Sequence, residues 1–372
     1  MRMSAKLAHV TWSDALMAAQ DRCRTALTEG TSQPNATWTD RLLAAAVRSD
    51  NDTLHSLRAL AECDEDAFLF DWAGFWAWGE AWPGVLPPPA PPISNWEAEQ
   101  AWIQFRRQAS AERSSAEQGY ATLDYSDGPL RISARVNGTE GRFILDTGAS
   151  TSVIAPDFAA RARVAADGPE RIVWDGAGAS GVFVSARADH FEAGTWWARN
   201  VPLDILEMNT ALDVDGILSP FDLIGRKTMT FDGPGSRLVI GQEDVGPDVP
   251  VFWSEGVPSI RVSGRQGNCL MLLDTGAGGT VMISDRLEQS NFETATAIGS
   301  ARIARLGEIT LTPEGCPPFT DTLYAKPRSP TRFRPLPRLF DGYLGTTWFG
   351  RYQVTFPAQR GFIQVALPKE TS

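Results

Sequence analysis

Residues 143–150 read FILDTGAS, and 128 positions later residues 271–278 read MLLDTGAG. Two accidental copies of D-T-G-A in one chain are very improbable, so duplication is the better explanation. A duplicated unit should extend beyond the octapeptide at a nearly constant offset. Upstream, GPLRISARVNGTEGRFILDTG parallels VPSIRVSGRQGNCLMLLDTG. Each has an alternating strand, a Gly-containing turn and an apolar strand running into Asp-Thr-Gly, which predicts a β-hairpin at the start of each copy. Downstream, VDGILSPFDLIGRKTMTFDGPGSRLVI parallels FDGYLGTTWFGRYQVTFPAQRGFIQV, with Asp215 matching Asp341 at an offset of 126 and Thr230-Phe231 matching Thr355-Phe356 at 125. The spacing predicts two homologous β-rich units, residues 119–245 and 246–372.

A carboxylate at the end of an apolar strand is costly unless something opposes its burial. Two such carboxylates brought face to face share a proton: like charges a few ångströms apart cannot both ionise, which leaves one base and one acid. Asp146 and Asp274 are therefore the candidate catalytic pair, able to activate water and protonate a carbonyl. Thr147 and Thr275 carry hydroxyls that can bond to the opposite unit's backbone, and Gly148 and Gly276 let amides approach the carboxylates closely. This chemistry needs no metal and no cofactor.

Composition narrows the partners. With 34 Lys and Arg against 45 Asp and Glu, the formal net charge is -11, which argues against nucleic acid or an anionic membrane surface as the main partner. As a partner or substrate, a neutral or basic peptide or protein would be tolerated better. The four cysteines, Cys23, Cys63, Cys269 and Cys316, show no C-x-x-C spacing, so neither zinc nor a disulfide framework is expected, and Cys269 reads as a buried free thiol. The first twenty residues have no apolar core of signal-peptide type, and no transmembrane run occurs, so the expected location is cytoplasmic.

Residues 1–118 read differently, as an α-helical accessory domain. TWSDALMAA at 11–19 recurs as TWTDRLLAA at 37–45, each a Ser/Thr/Asp cluster opening an Ala/Leu-rich run, which predicts capped helices in a hairpin. FLFDWAGFWAWGEAWPG concentrates aromatics, GVLPPPAPPIS interrupts any helix, and NWEAEQAWIQFRRQ reads as a further helix. Eight of the thirteen tryptophans lie in this region, which we expect to pack against itself or the β units. A prosegment, or a docking module for a protein partner, is the alternative.

FILDTGAS with DGILS, and MLLDTGAG with DGYLG, resemble the aspartic peptidases, in which each lobe contributes one Asp-Thr-Gly and a later hydrophobic-hydrophobic-Gly strand. The resemblance covers about residues 120 to 368, roughly two thirds of the chain. Ala149 and Ala277 are similar to retropepsins, whereas the single-chain arrangement is similar to pepsins. The resemblance implies a mainly β, bilobal acid-protease fold behind the N-terminal helical domain. It implies an Asp146/Asp274 dyad holding the attacking water, with Thr147, Gly148, Thr275 and Gly276 as supports and Ser150 assisting in the first lobe, where its counterpart Gly278 cannot. With Ala where pepsins place a hydroxyl, the dyad should be less acidic than pepsin's. The acidic balance of residues 1–118, ten Lys and Arg against sixteen Asp and Glu, is unlike the basic prosegments of pepsin zymogens.

The pattern is not followed everywhere. The first copy reads Ile217-Leu218-Ser219 where the second keeps Tyr343-Leu344-Gly345, and Ser219 is expected to crowd the backbone near Asp146. The resemblance also implies a flap, a glycine-rich hairpin over the substrate. VWDGAGASGVFVS suits it, with Trp174, Gly176 and Gly178 as flap and substrate-binding candidates; Trp174 alternatively packs on the lobe core. The short interval from Gly299 to Gly307 predicts no second flap. The insertion CPPFTDTLYAKPRSPTRFRPLPR, with Lys326, Arg328, Arg332, Arg334 and Arg338, reads as a solvated, proline-stiffened loop or as a basic lining of the cleft. The expected function is an aspartic-type endopeptidase. A biosynthetic enzyme using the same dyad, or a non-cleaving peptide-binding homologue, are the competing readings.

Overall fold

The computed structural model describes residues 18–31, 36–48, 50–58, 60, 70, 96–126, 128–225, 227–241, 246–254, 256–265, 267–284, 292–327, 340–358 and 361–367. The fold is mainly β. In the first repeat the predicted hairpin forms from Arg131–Val136 and Thr139–Leu145, closed by Asn137 and Gly138 at φ 49 and 81, the left-handed pair that a two-residue hairpin turn requires. The second repeat has its own hairpin, Val257–Gly264 with Gly267–Leu273.

After each Asp-Thr-Gly the chain turns away and later returns beside it. Gly216–Leu218 runs parallel to the first apolar strand, Leu145 opposite Leu218, and Gly342–Leu344 runs parallel to the second, Leu273 opposite Leu344. Each aspartate amide then donates to the returning strand, Asp146 to the Leu218 carbonyl at 2.8 Å and Asp274 to the Leu344 carbonyl at 2.9 Å. The paired residues are buried on both strands, which explains why they read as apolar runs and not as alternation.

A six-stranded sheet joins the repeats in the order Gly119–Asp124, Arg237–Ile240, Met229–Asp232, Gln353–Phe356, Phe362–Ala366, Asp248–Ser254. At its centre Thr230 lies opposite Thr355, with the hydroxyls 2.9 Å apart. These are the same position of the two copies, so a near-twofold axis passes between them. One core runs beneath, in which Phe221, Phe231, Trp253, Phe349 and Phe356 meet edge to face. These five aromatics are buried between the two repeats.

The helices span 18–29, Trp38–Arg48, Asn51–Arg58 and Trp96–Ala111. Thr37 caps the second as its sequence predicts: its hydroxyl accepts from the Asp40 amide at 3.2 Å, and Asp40 accepts from the Thr37 amide at 2.9 Å. Leu42, Leu43, Val47, Leu54, Leu57, Trp102 and Ile103 form a cluster that also takes in Phe252 and Leu270 from the second repeat. Helix Trp96–Ala111 packs on strands Ala166–Trp174 and Trp196–Ile205 of the first. The expected helix start at 11–17, most of the aromatic run at 68–84, the proline segment at 85–95 and the arginines of 328–339 lie outside the described residues. Among the described residues no helix is long and apolar enough to cross a membrane. Cys269 is half-buried, not fully buried, and burial still pushes its thiol up to about 11.

Candidate active site

The parallel strand pairs bring Asp146 and Asp274 together at the junction of the repeats. A methyl group placed on Gly148 would lie 2.8 Å from Asp274 Cγ, and one on Gly276 would lie 2.5 Å from Asp146 Cγ. Each glycine therefore backs the opposite carboxyl, and only hydrogen fits there. Each also donates its amide to its own aspartate, Gly148 to Asp146 at 2.7 Å and Gly276 to Asp274 at 2.9 Å. Thr147 and Thr275 are fully buried and lock the two loops reciprocally. Thr147 Oγ1 donates to the Leu273 carbonyl at 2.6 Å and Thr275 Oγ1 to the Leu145 carbonyl at 2.5 Å, while each hydroxyl accepts the other's amide at 3.0 Å. Ser150 is exposed and makes no hydrogen bond to Asp146.

Burial, then the neighbouring Asp274 charge and side-chain hydrogen bonding with it, pushes Asp146 well above its ordinary value. Burial raises Asp274 as well, opposed by that hydrogen bond and by the Lys326 charge. Burial thus raises both carboxyls, which favours one proton shared by the pair. Because the folded value of Asp146 exceeds its ordinary 3.8, protonation favours the fold below that pH, and this contribution is lost as pH rises through the raised value. Asp146→Asn mimics the protonated group. Its thermal midpoint is expected to match the wild type's at pH 3 and to exceed it progressively above pH 4; parallel midpoint curves across that range would contradict this.

Ser219 does not crowd Asp146. Gly345 adopts φ -92 and ψ -162 with carbonyls pressed around it, whereas the backbone at Ser219 rotates to ψ 116, and the Asp146 amide keeps its bond to Leu218. The Ser152 hydroxyl accepts the Ser219 amide at 3.1 Å and so supports the altered turn.

Each repeat carries a hairpin of the kind expected for the flap, where the sequence predicted one in the first repeat alone, and the two tips meet. In the first, Trp174 pairs with Ser180, half-buried at the strand end, and residues 175–179 turn. In the second, Phe292–Ala295 pairs with Ser300 onward, and residues 296–299 turn. Gly299 lies in the turn itself, so an interval counted from it misses the strand beginning at Phe292. The two tips meet through Asp175. Its carboxylate accepts from the Ala177 and Ala179 amides at 2.9 Å, and across the junction from Thr296 Oγ1 at 2.5 Å and the Ile298 and Gly299 amides at 3.2 Å. Lys326, which lies in strand Phe319–Pro327 and not in a loop, donates to the Gly176 carbonyl at 2.9 Å and sits 4.5 Å from the centre of the Tyr343 ring. Gly178 supplies φ 92 within the first turn. Asp175 carried no signal in the sequence beyond the W-D-G turn pattern. Asp175→Ala removes an acceptor shared by five donors, and amide exchange at Ile298 and Gly299 is expected to rise about tenfold or more. Unchanged protection at those two amides would show that the tips close by other means.

Residues 132–220 match the aspartyl protease family model. That segment runs from the first hairpin through Asp146 and the hairpin at 166–193 to the returning strand. The mainly β fold and this match together support an aspartic-type protease, hence a hydrolase. No curated protein matches the chain.

Proposed function

We propose that the protein is an aspartic-type endopeptidase with a bilobal acid-protease fold. Residues 119–245 and 246–372 are its lobes, and residues 1–118 are a helical accessory domain that also offers a surface to a protein partner. Asp146 and Asp274 are the catalytic pair, Thr147, Gly148, Thr275 and Gly276 their supports, and Trp174, Gly176 and Gly178 flap residues facing a peptide substrate. The observation that carries this reading is the reciprocal backing of each carboxyl by the other repeat's glycine, because it leaves two aspartates in contact with one proton to share.

In the mechanism, Asp274 takes a proton from a water held between the carboxyls while Asp146 gives its proton to the scissile carbonyl oxygen. The water oxygen bonds to the carbonyl carbon and a neutral tetrahedral diol forms. Asp274 then gives its proton to the amide nitrogen while Asp146 takes one from a diol hydroxyl, the C–N bond breaks, and the acid and amine leave with the pair back in its starting state. Lys326 beside Asp274 favours the ionised form that begins this cycle. Closure of the two tips over the junction excludes bulk water.

The test is digestion of a mixed peptide library by the full chain from pH 3 to 7, with products read by mass spectrometry. Cleavage at internal bonds is expected, with the optimum above pH 3. No cleavage by folded protein at any pH would replace this reading with non-cleaving binding or with acid/base chemistry on another substrate.

A further inference from the structure

The loop that follows each Asp-Thr-Gly is fastened at the same place in both repeats, but by different means. In the second repeat the Thr280 amide donates to Asp321 at 3.1 Å, and the same oxygen accepts the Thr280 hydroxyl at 2.7 Å and the Thr347 hydroxyl at 2.5 Å. All these donors are neutral and come from the second repeat itself. The corresponding residue of the first repeat, 128 positions earlier, is Ser152. Its amide donates to Asp222 at 2.7 Å, and Asp222 is ion-paired to Arg106. Their side chains are only 7% and 4% exposed, so neither charge is tolerable without the other.

Arg106 belongs to helix Trp96–Ala111, outside the duplicated units. Arg113, just beyond that helix, donates to the Asp222 backbone carbonyl at 2.8 Å. The second repeat shows a related borrowing. Asp215 and Asp341 each accept the amide of the strand leading to their aspartate, from Arg142 at 2.9 Å and Leu270 at 3.0 Å. Asp215 is paired with Arg161 of its own repeat at 2.6 Å, whereas Asp341 is paired with Arg24 of the first described helix. The helical segment thus supplies an ion-pairing arginine to each repeat, Arg106 to the first and Arg24 to the second.

We propose that Arg106 is a positioning residue for Asp146: it neutralises Asp222, which holds the Ser152 amide and with it the loop 146–152. Ser152 continues the chain of contacts, since its hydroxyl accepts the Ser219 amide, and Ser219 follows Leu218, whose carbonyl holds the Asp146 amide. The helix is therefore part of the working unit and not an inhibitory segment whose removal releases activity. This rests on reading Asp146 as catalytic, and the experiment separates the two claims by a readout that does not need cleavage.

Amide exchange of the full chain is followed by mass spectrometry in Arg106→Gln and in Arg106→Gln/Asp222→Asn. In Arg106→Gln, exchange across 146–152 is expected to rise about tenfold or more while the loop 274–280 keeps its wild-type protection, and the neutral pair in the double variant restores most of the difference. Where the wild type cleaves peptides, kcat of Arg106→Gln is expected to fall about 100-fold with KM changed less than about threefold, as a displaced catalytic group requires. Wild-type exchange at 146–152, an equal rise in both loops, or a fall in thermal midpoint with unchanged kcat would overturn the proposal. Should Arg106→Gln not fold, Arg106→Lys supplies the comparison. Its single-pronged cation is expected to raise exchange at 146–152 about threefold, and wild-type exchange there would overturn the proposal equally. A wild type that protects 146–152 through Arg106 yet cleaves nothing would remove the endopeptidase reading and leave the positioning role standing.

Discussion

Asp274→Asn is expected to lower kcat/KM about 10⁴-fold on any peptide the wild type cleaves, with the protein still folded. The asparagine keeps the size of the side chain and an oxygen that can accept the Gly276 amide, now at 2.9 Å. What it cannot do is take a proton from water. Asp146→Asn should be equally damaging for the complementary reason, because it cannot give its proton to the carbonyl oxygen. The two variants should also be non-additive, since one proton shared by two carboxyls is a single device. Initial rates over pH 3 to 7, with thermal unfolding as the check on folding, decide the matter. Either variant retaining more than about 1% of wild-type kcat/KM would show that its aspartate is not half of a catalytic pair.

Gly276→Ala should be nearly as harmful without touching a reactive group. The added methyl would stand 2.5 Å from both Cγ and Oδ2 of Asp146, and the flexible end of that side chain is the carboxyl the chemistry needs. The aspartate must move by an appreciable fraction of an ångström. Displacements of about 1 Å cost on the order of 100-fold in rate, and overpacking of this kind costs about 1–3 kcal/mol in stability. Gly138→Ala is the control: φ is 81 there and nothing lies within 4 Å of the added carbon, so only the left-handed backbone objects, at about 1 kcal/mol and with no loss of rate. Urea denaturation with kcat/KM on the same samples separates the two. Gly276→Ala with wild-type kcat/KM would mean that the carboxyls are not held in contact by their loops.

The helix cap at Thr37 and the hairpins were legible because their signals are local. Thr37 with Asp40, and Asn137 with Gly138, each specify backbone geometry within a few residues. The locking threonines were also legible, since a hydroxyl beside a twinned aspartate has few other uses. The second hairpin was not. Its turn begins at Thr296, and what holds its tip is the carboxylate of Asp175 in the other repeat, a partner 124 residues from Gly299. Ser219 misled for a related reason. A glycine in the second repeat implies crowding in the first only if the backbone is the same, and it rotates to a different ψ.

By itself the sequence determined that the chain carries two related β units and that each ends an apolar strand in Asp-Thr-Gly. Repetition and strand period are properties of residue order, and they survive without knowledge of what touches what. Only the tertiary structure decided which surfaces meet: the tips through Asp175, Arg24 with Asp341 across 317 positions, and Arg106 with Asp222 across 116. An exposed-looking arginine and a buried ion-pair arginine have the same one-letter code. The difference is made by the helix packing that removes water from both partners, and that packing is set by the whole fold.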